Sequence, residues 1–168
     1  MMRWTSNVGR RTPAAWWRMA RMTVGLACLL VAALVPAQAS AQGLQLAKIG
    51  GGTVSEAELM KGTTIAVVWA TWSPRGKDIV QRINKINAKW GGSARVVAIN
   101  FQEDATTIQK FLGDQKMNVP ILLDKNGRFS KKHAVTWLPG LLVLQDGETA
   151  FRGRLGDNPD VVLTQALS

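Results

Sequence analysis

The chain has 168 residues, a net charge of +10, 46% hydrophobic residues, one cysteine and no tyrosine. Its basic residues are dispersed and not interleaved with aromatics, so nucleic acid is not the expected partner. Its carboxylates are scattered singly, without metal-ligand spacing, so neither a metal nor another cofactor is expected.

The N-terminal segment distorts these averages. Arg3, Arg10, Arg11, Arg18 and Arg21 stand in a stretch without acid, followed by the apolar run VGLACLLVAALV from Val24 to Val35 and then PAQASAQ. A basic start, a short apolar core and a small-x-small exit read as a secretory signal peptide. The core is short of the roughly 20 apolar residues a membrane span needs. Cleavage fits Ala37-x-Ala39 or Ala39-x-Ala41, and the second frame, giving a mature start at Gln42, is preferred. Arg10-Arg11 lies far upstream of the core and precedes Thr-Pro, so a Sec-type signal is preferred to a twin-arginine one. Cys28 sits in mid-core, unlike a lipidated cysteine. The stretch MARMTVGLACLL is itself a compact signal, leaving Met1 and Met19 as alternative starts. The expected organisation is a signal peptide over 1–41, a short strand or linker over 42–52, and one domain over 53–168. The expected location is the bacterial periplasm, with membrane contact only if the signal is retained.

Sixteen of the 21 basic residues and all 11 acidic ones fall in 42–168, a net charge of about +5. That part has no cysteine, so it can neither be stapled by disulfides nor perform thiol chemistry itself.

Gln45 to Ile49 alternates weakly as a short strand, and Gly50-Gly51-Gly52 reads as a flexible lead-in. Ser55 and Glu58 have capping-box spacing and start a short helical turn ending near Gly62. TIAVVWA, Thr64 to Ala70, is a continuous apolar, β-branched run suited to a strand buried on both faces. Ser73 is expected as the N-cap and Pro74 as the first residue of the next helix. Its apolar stripe is Ile79, Ile83, Ile86 and Trp90, and Gly91-Gly92 ends it. The basic residues Lys77, Arg82, Lys85 and Lys89 are expected on its exposed face.

ARVVAINF, Ala94 to Phe101, is a second buried strand. Asp104 is placed to cap a helix carrying Ile108, Phe111 and Leu112. VPILLD, Val119 to Asp124, leads to the turn DKNG and a short helix near Phe129 to His133. GLLVL, QDG and ETAFRGR form a hairpin, and Pro159 to Leu167 a last helix. Two strand–helix–strand crossovers followed by a hairpin predict an α/β fold with a mixed central sheet between helices. Trp69 and Trp90 are expected in the core. His133, the only histidine, is expected exposed or partly packed.

The stretch WATWSPRGK, Trp69 to Lys77, resembles the WATWCPPCK/R signature of the TlpA-like exported thioredoxins. VTWLPGLLVLQDG, about 60 residues later, is similar to the segment in which that family carries its cis-proline. The resemblance covers Gly52 to Leu167. It implies a thioredoxin-like fold with Pro139 as the cis-proline. It also places Ser73 where the attacking cysteine stands and Gly76 where the resolving cysteine stands. The position six before the attacking residue, often a buried Asp or Asn in relatives, is Val67. Exchange chemistry needs a thiolate; a serine hydroxyl stays protonated at neutral pH, and glycine offers no group. No catalytic residue is therefore assigned.

The resemblance further implies a groove in which a peptide bonds to the backbone as an added strand. The residues at that groove are Trp72, Ser73, Pro74, Arg75, Trp137, Leu138 and Pro139, and the expected partner is a protein or extended peptide. The expected function is a redox-silent binding or assembly module. The alternative is a member of a thiol–disulfide oxidoreductase system acting with a cysteine-bearing partner.

Overall fold

The structure is a computed structural model and describes residues 43–168; the signal peptide assigned to 1–41 lies outside the described residues. The elements are β1 Gln45–Lys48, β2 Thr53–Ser55, α1 Glu56–Leu59, β3 Thr63–Trp69, α2 Ile79–Trp90, β4 Arg95–Phe101 and α3 Ala105–Leu112. Then come β5 Ile121–Asp124, α4 Arg128–Lys132, β6 Gly140–Gln145, β7 Glu148–Arg154 and α5 Asp160–Leu167.

The seven strands form one sheet in the order β2-β1-β5-β4-β3-β6-β7. β3 pairs in parallel with β4, and β4 with β5, as crossover helices α2 and α3 require. β6 returns antiparallel on the other side of β3, Val67 facing Leu141, and β7 forms the hairpin edge. This is the thioredoxin-like mixed sheet expected from the sequence.

β3 shows why an unbroken apolar run suits this place. Ile65, Val67 and Trp69 point into a core shared with Ile79, Ile83 and Ile86 of α2, Ile108 of α3 and Leu163 of α5. The alternate residues Ala66 and Val68 point into a second core with Leu59, Ile99, Phe129 and Leu142. A period of two with helices on both faces leaves no polar side.

Two local expectations need correction. Gly50 to Gly52 is not a loose lead-in but the turn of a β1–β2 hairpin, closed by Lys48 N–H on the Gly52 carbonyl at 2.9 Å. All three glycines have positive φ, a conformation side chains other than glycine's resist. Because β1 also pairs with β5, residues 45–48 belong to the sheet. The second correction concerns α2, which begins at Ile79 and not at Pro74. The residues between belong to the site described next.

Candidate functional site

From Ala70 to Ile79 the chain folds as three successive tight turns. Ser73 N–H donates to the Ala70 carbonyl at 3.2 Å, Gly76 N–H to Ser73 at 2.8 Å, and Ile79 N–H to Gly76 at 3.1 Å. Ser73 is therefore not the helix N-cap. Its buried hydroxyl donates across the fold to the carbonyl of Leu138 at 3.0 Å. That long-range bond overrides the local capping preference of a Ser-Pro pair. Gly76 lies inside the turn: a Cβ there would stand 3.1 Å from the Ser73 carbonyl oxygen and 3.3 Å from that of Ala70.

The facing loop, Val135 to Pro139, comes off α4 and leads into β6. The Leu138–Pro139 peptide bond is cis, and the Pro139 carbonyl accepts from Leu155 N–H at 2.9 Å. Leu138 is half-buried and Pro139 buried. Trp72 and Trp137 are 61% and 44% exposed, one on the turn and one on the loop. Pro74 and Arg75 are exposed, while Gly76 is buried. Thus Ser73 and Leu138 touch, and Trp72 and Trp137 flank their contact. Trp69 is fully buried, and Trp90 is partly buried with its indole N–H on Asp160 at 3.0 Å.

A carboxylate that sequence reading did not single out holds the base of the turn. Glu103, just past β4, accepts from Thr71 N–H at 2.8 Å and from Asn100 Nδ2 at 2.7 Å, and also from the Thr71 hydroxyl. Asn100 itself is fully buried. A carboxylate three residues beyond a buried asparagine at a strand end is the only local signal of this clamp.

His133 is another correction. It is buried, with Nε2 at 2.9 Å from Glu56 and Nδ1 at 3.2 Å from Thr149 Oγ1, and Lys132 reaches the same carboxylate at 2.7 Å. Burial pushes the His133 pKa down, against the opposing pull of Glu56. Thr149, His133 and Glu56 stand in the order of nucleophile, base and carboxylate. Their hydrogen bonds and the Lys132–Glu56 pair join α1, the end of α4 and β7. Among the described residues no group of three His, Cys, Asp or Glu side chains converges on a metal-sized point.

The basic residues of α2 do not form one free face. Arg82 is held against the Leu155 and Gly156 carbonyls at 2.9 and 2.6 Å, and Lys89 pairs with Asp160 at 2.7 Å.

Comparison with known proteins agrees with this geometry. The Redoxin family model matches residues 32–157. The chain belongs to the Redoxin family. Solved structures place this Redoxin chain among thioredoxin-like folds. StoA from Bacillus subtilis is 22% identical, with a TM-score of 0.60 over 74% of this chain and 96% of that one. The secreted Mycobacterium tuberculosis disulfide oxidoreductase homologous to E. coli DsbE is 17% identical, with a TM-score of 0.61 over 75% and 96%. The exposed lipoprotein thioredoxin Etrx1 from Streptococcus pneumoniae is 14% identical, with a TM-score of 0.64 over 74% and 97%. No curated protein sequence matches the chain. A catalytic disulfide needs two cysteines, and this Redoxin chain has only Cys28.

Proposed function

We propose that the chain is an exported, redox-silent binding module that receives an extended segment of a partner protein between Trp72 and Trp137. The observation that carries this reading is the pair of exposed tryptophans across the Ser73–Leu138 contact. Two large exposed aromatics on either side of a buried polar contact have the composition of a binding hot spot. The N–H groups of Trp137 and Leu138 have no acceptor among the described residues, which suits pairing with an added strand. Trp72, Ser73, Pro74, Arg75, Trp137, Leu138 and Pro139 form this surface.

Ser73 is not assigned a nucleophilic role. A serine needs an adjacent base, its hydroxyl is engaged by Leu138, and the only histidine is held by Glu56 and Thr149. The signal-like N-terminus supports export to the periplasm by the Sec route. The solved relatives described as a disulfide oxidoreductase and a thioredoxin favour a second reading, in which the chain supplies substrate binding to a cysteine-bearing partner.

A photo-reactive residue at Leu138, used in the cell envelope with a Trp72→Ala control, tests the binding reading. Capture of one partner that disappears in the control is expected. Equal capture by both proteins contradicts the role of the groove.

A further inference from the structure

Two cavities flank the Ser73–Leu138 contact, and their chemistry differs. One, of about 170 Å³, lies beside Trp137 and is walled by Phe101, Val135, Trp137 and Leu138, with Ser130 and Thr136 at its polar side. The Ser130 hydroxyl already donates to Asp124 at 2.7 Å, so the cavity is mainly apolar in what it offers. Its volume is below the roughly 300 Å³ at which small-molecule sites begin, and suits one large side chain.

The other cavity, of about 390 Å³, lies on the far side of the turn and is bordered by Arg75, Lys77 and Arg82, with Asp78 and Asp157. Leu155, which also lines it, is hydrogen-bonded to Pro139, so this cavity continues directly from the cis-proline loop. Arg82 is fixed there by its bonds to the Leu155 and Gly156 carbonyls. Arg75 and Lys77 are exposed and form no ion pair among the described residues. Three cations, Arg75, Lys77 and Arg82, thus face two carboxylates, an excess of the same sign as the net charge of 42–168.

We propose that the partner segment is acidic, placing one large apolar side chain in the cavity beside Trp137 and carboxylates near Arg75 and Lys77. The inference rests on the groove reading above and adds the chemistry of what occupies it. The apolar side chain supplies burial, and the exposed cations select sign and register. Opposite charges at the rim of the turn contribute less each than the buried side chain, because solvent screens them. A basic segment meets repulsion at Arg75 and Lys77 at once.

The test uses the full chain and three synthetic tryptophan-free nonapeptides, read by the protein's tryptophan fluorescence. One has a central leucine flanked by aspartates, one replaces the aspartates with lysines, and one keeps the aspartates but replaces the leucine with serine. The acidic leucine peptide is expected to bind about tenfold more tightly than either of the others at low salt. Arg75→Glu is expected to shrink the acidic preference, as is salt raised to about 0.5 M. Equal affinity for the acidic and basic leucine peptides overturns the inference while leaving the groove reading in place. Equal affinity for the leucine and serine peptides overturns the apolar anchor, again without touching the groove. Binding of none of the three overturns both.

Discussion

The hydroxyl of Ser73 donates to the carbonyl of Leu138 at 3.0 Å, joining two loops that lie 65 residues apart. It sits where the resemblance to the TlpA-like thioredoxins places the attacking sulfur. A group that would act on a substrate in a redox relative here ties the turn to the cis-proline loop, and Trp72 and Trp137 stay exposed on either side.

Ser73→Ala removes this bond and leaves a partly desolvated carbonyl with one fewer donor. The expected loss is about 1 kcal/mol of unfolding free energy, the usual net worth of one hydrogen bond. Urea denaturation at constant m-value measures it, and hydrogen exchange is expected to speed up at Gly76 and Ile79.

Gly76→Ala is expected to destabilise the chain by about 1–2 kcal/mol, because the new Cβ meets two backbone oxygens that cannot swing away. The same crowding applies to Ser73→Cys combined with Gly76→Cys. That double variant is expected to be less stable than Ser73→Cys alone, as thermal unfolding under reducing conditions can show.

The tryptophans divide sharply by position. Trp69→Ala empties a fully buried site against Phe111 and is expected to cost about 3–5 kcal/mol. Trp72→Ala removes an exposed ring and is expected to change stability by less than about 0.5 kcal/mol. Urea midpoints of the two variants give the comparison.

Glu103→Ala strips three hydrogen bonds from Thr71 and Asn100. The expected cost is about 2 kcal/mol, with the loss of protection greatest at Thr71 and Trp72 in amide hydrogen exchange. Uniform loss across the sheet would argue that Glu103 does not position the turn in particular.

His133 sets a pH dependence whose sign is determined. Burial holds its folded pKa below the ordinary 6.5, so the unfolded chain binds more protons as pH falls. Its contribution is complete above about pH 6.5 and is lost as pH drops from there through the lowered folded value. Glu58, Asp104 and Asp160 have carboxyls held below their ordinary values, mainly by hydrogen bonds from Ser55, Thr107 and Lys89 respectively. Their contributions are lost only below about pH 4.5. Urea midpoints at pH 7.5 and 5.5 are expected to differ in the native chain and to converge in His133→Gln.

The sheet was legible because its strands carry a local signature. TIAVVWA and ARVVAINF are unbroken apolar runs, and the isoleucine stripe of α2 repeats at helical spacing. The exposed tryptophans were legible by position, through the resemblance of WATWSPRGK to a known turn. Three features were hidden for physical reasons. β2 spans only Thr53–Ser55, too short for a periodicity to appear. The start of α2 was misplaced because Ser73-Pro74 is good capping chemistry, yet Ser73 has a better partner in Leu138. The Glu56–His133 contact joins residues 77 apart, and nothing in either neighbourhood announces it.

Binding without thiol exchange is the central claim, and an unfolded protein with its cysteines reduced and carboxymethylated tests it most directly. Such a client offers extended backbone and no sulfur to attack. The full chain is expected to bind it with a change in tryptophan fluorescence, and Trp72→Ala together with Trp137→Ala is expected to abolish binding while leaving the urea midpoint nearly unchanged. Absence of binding by the native chain, or equal binding by the double variant, would contradict the account.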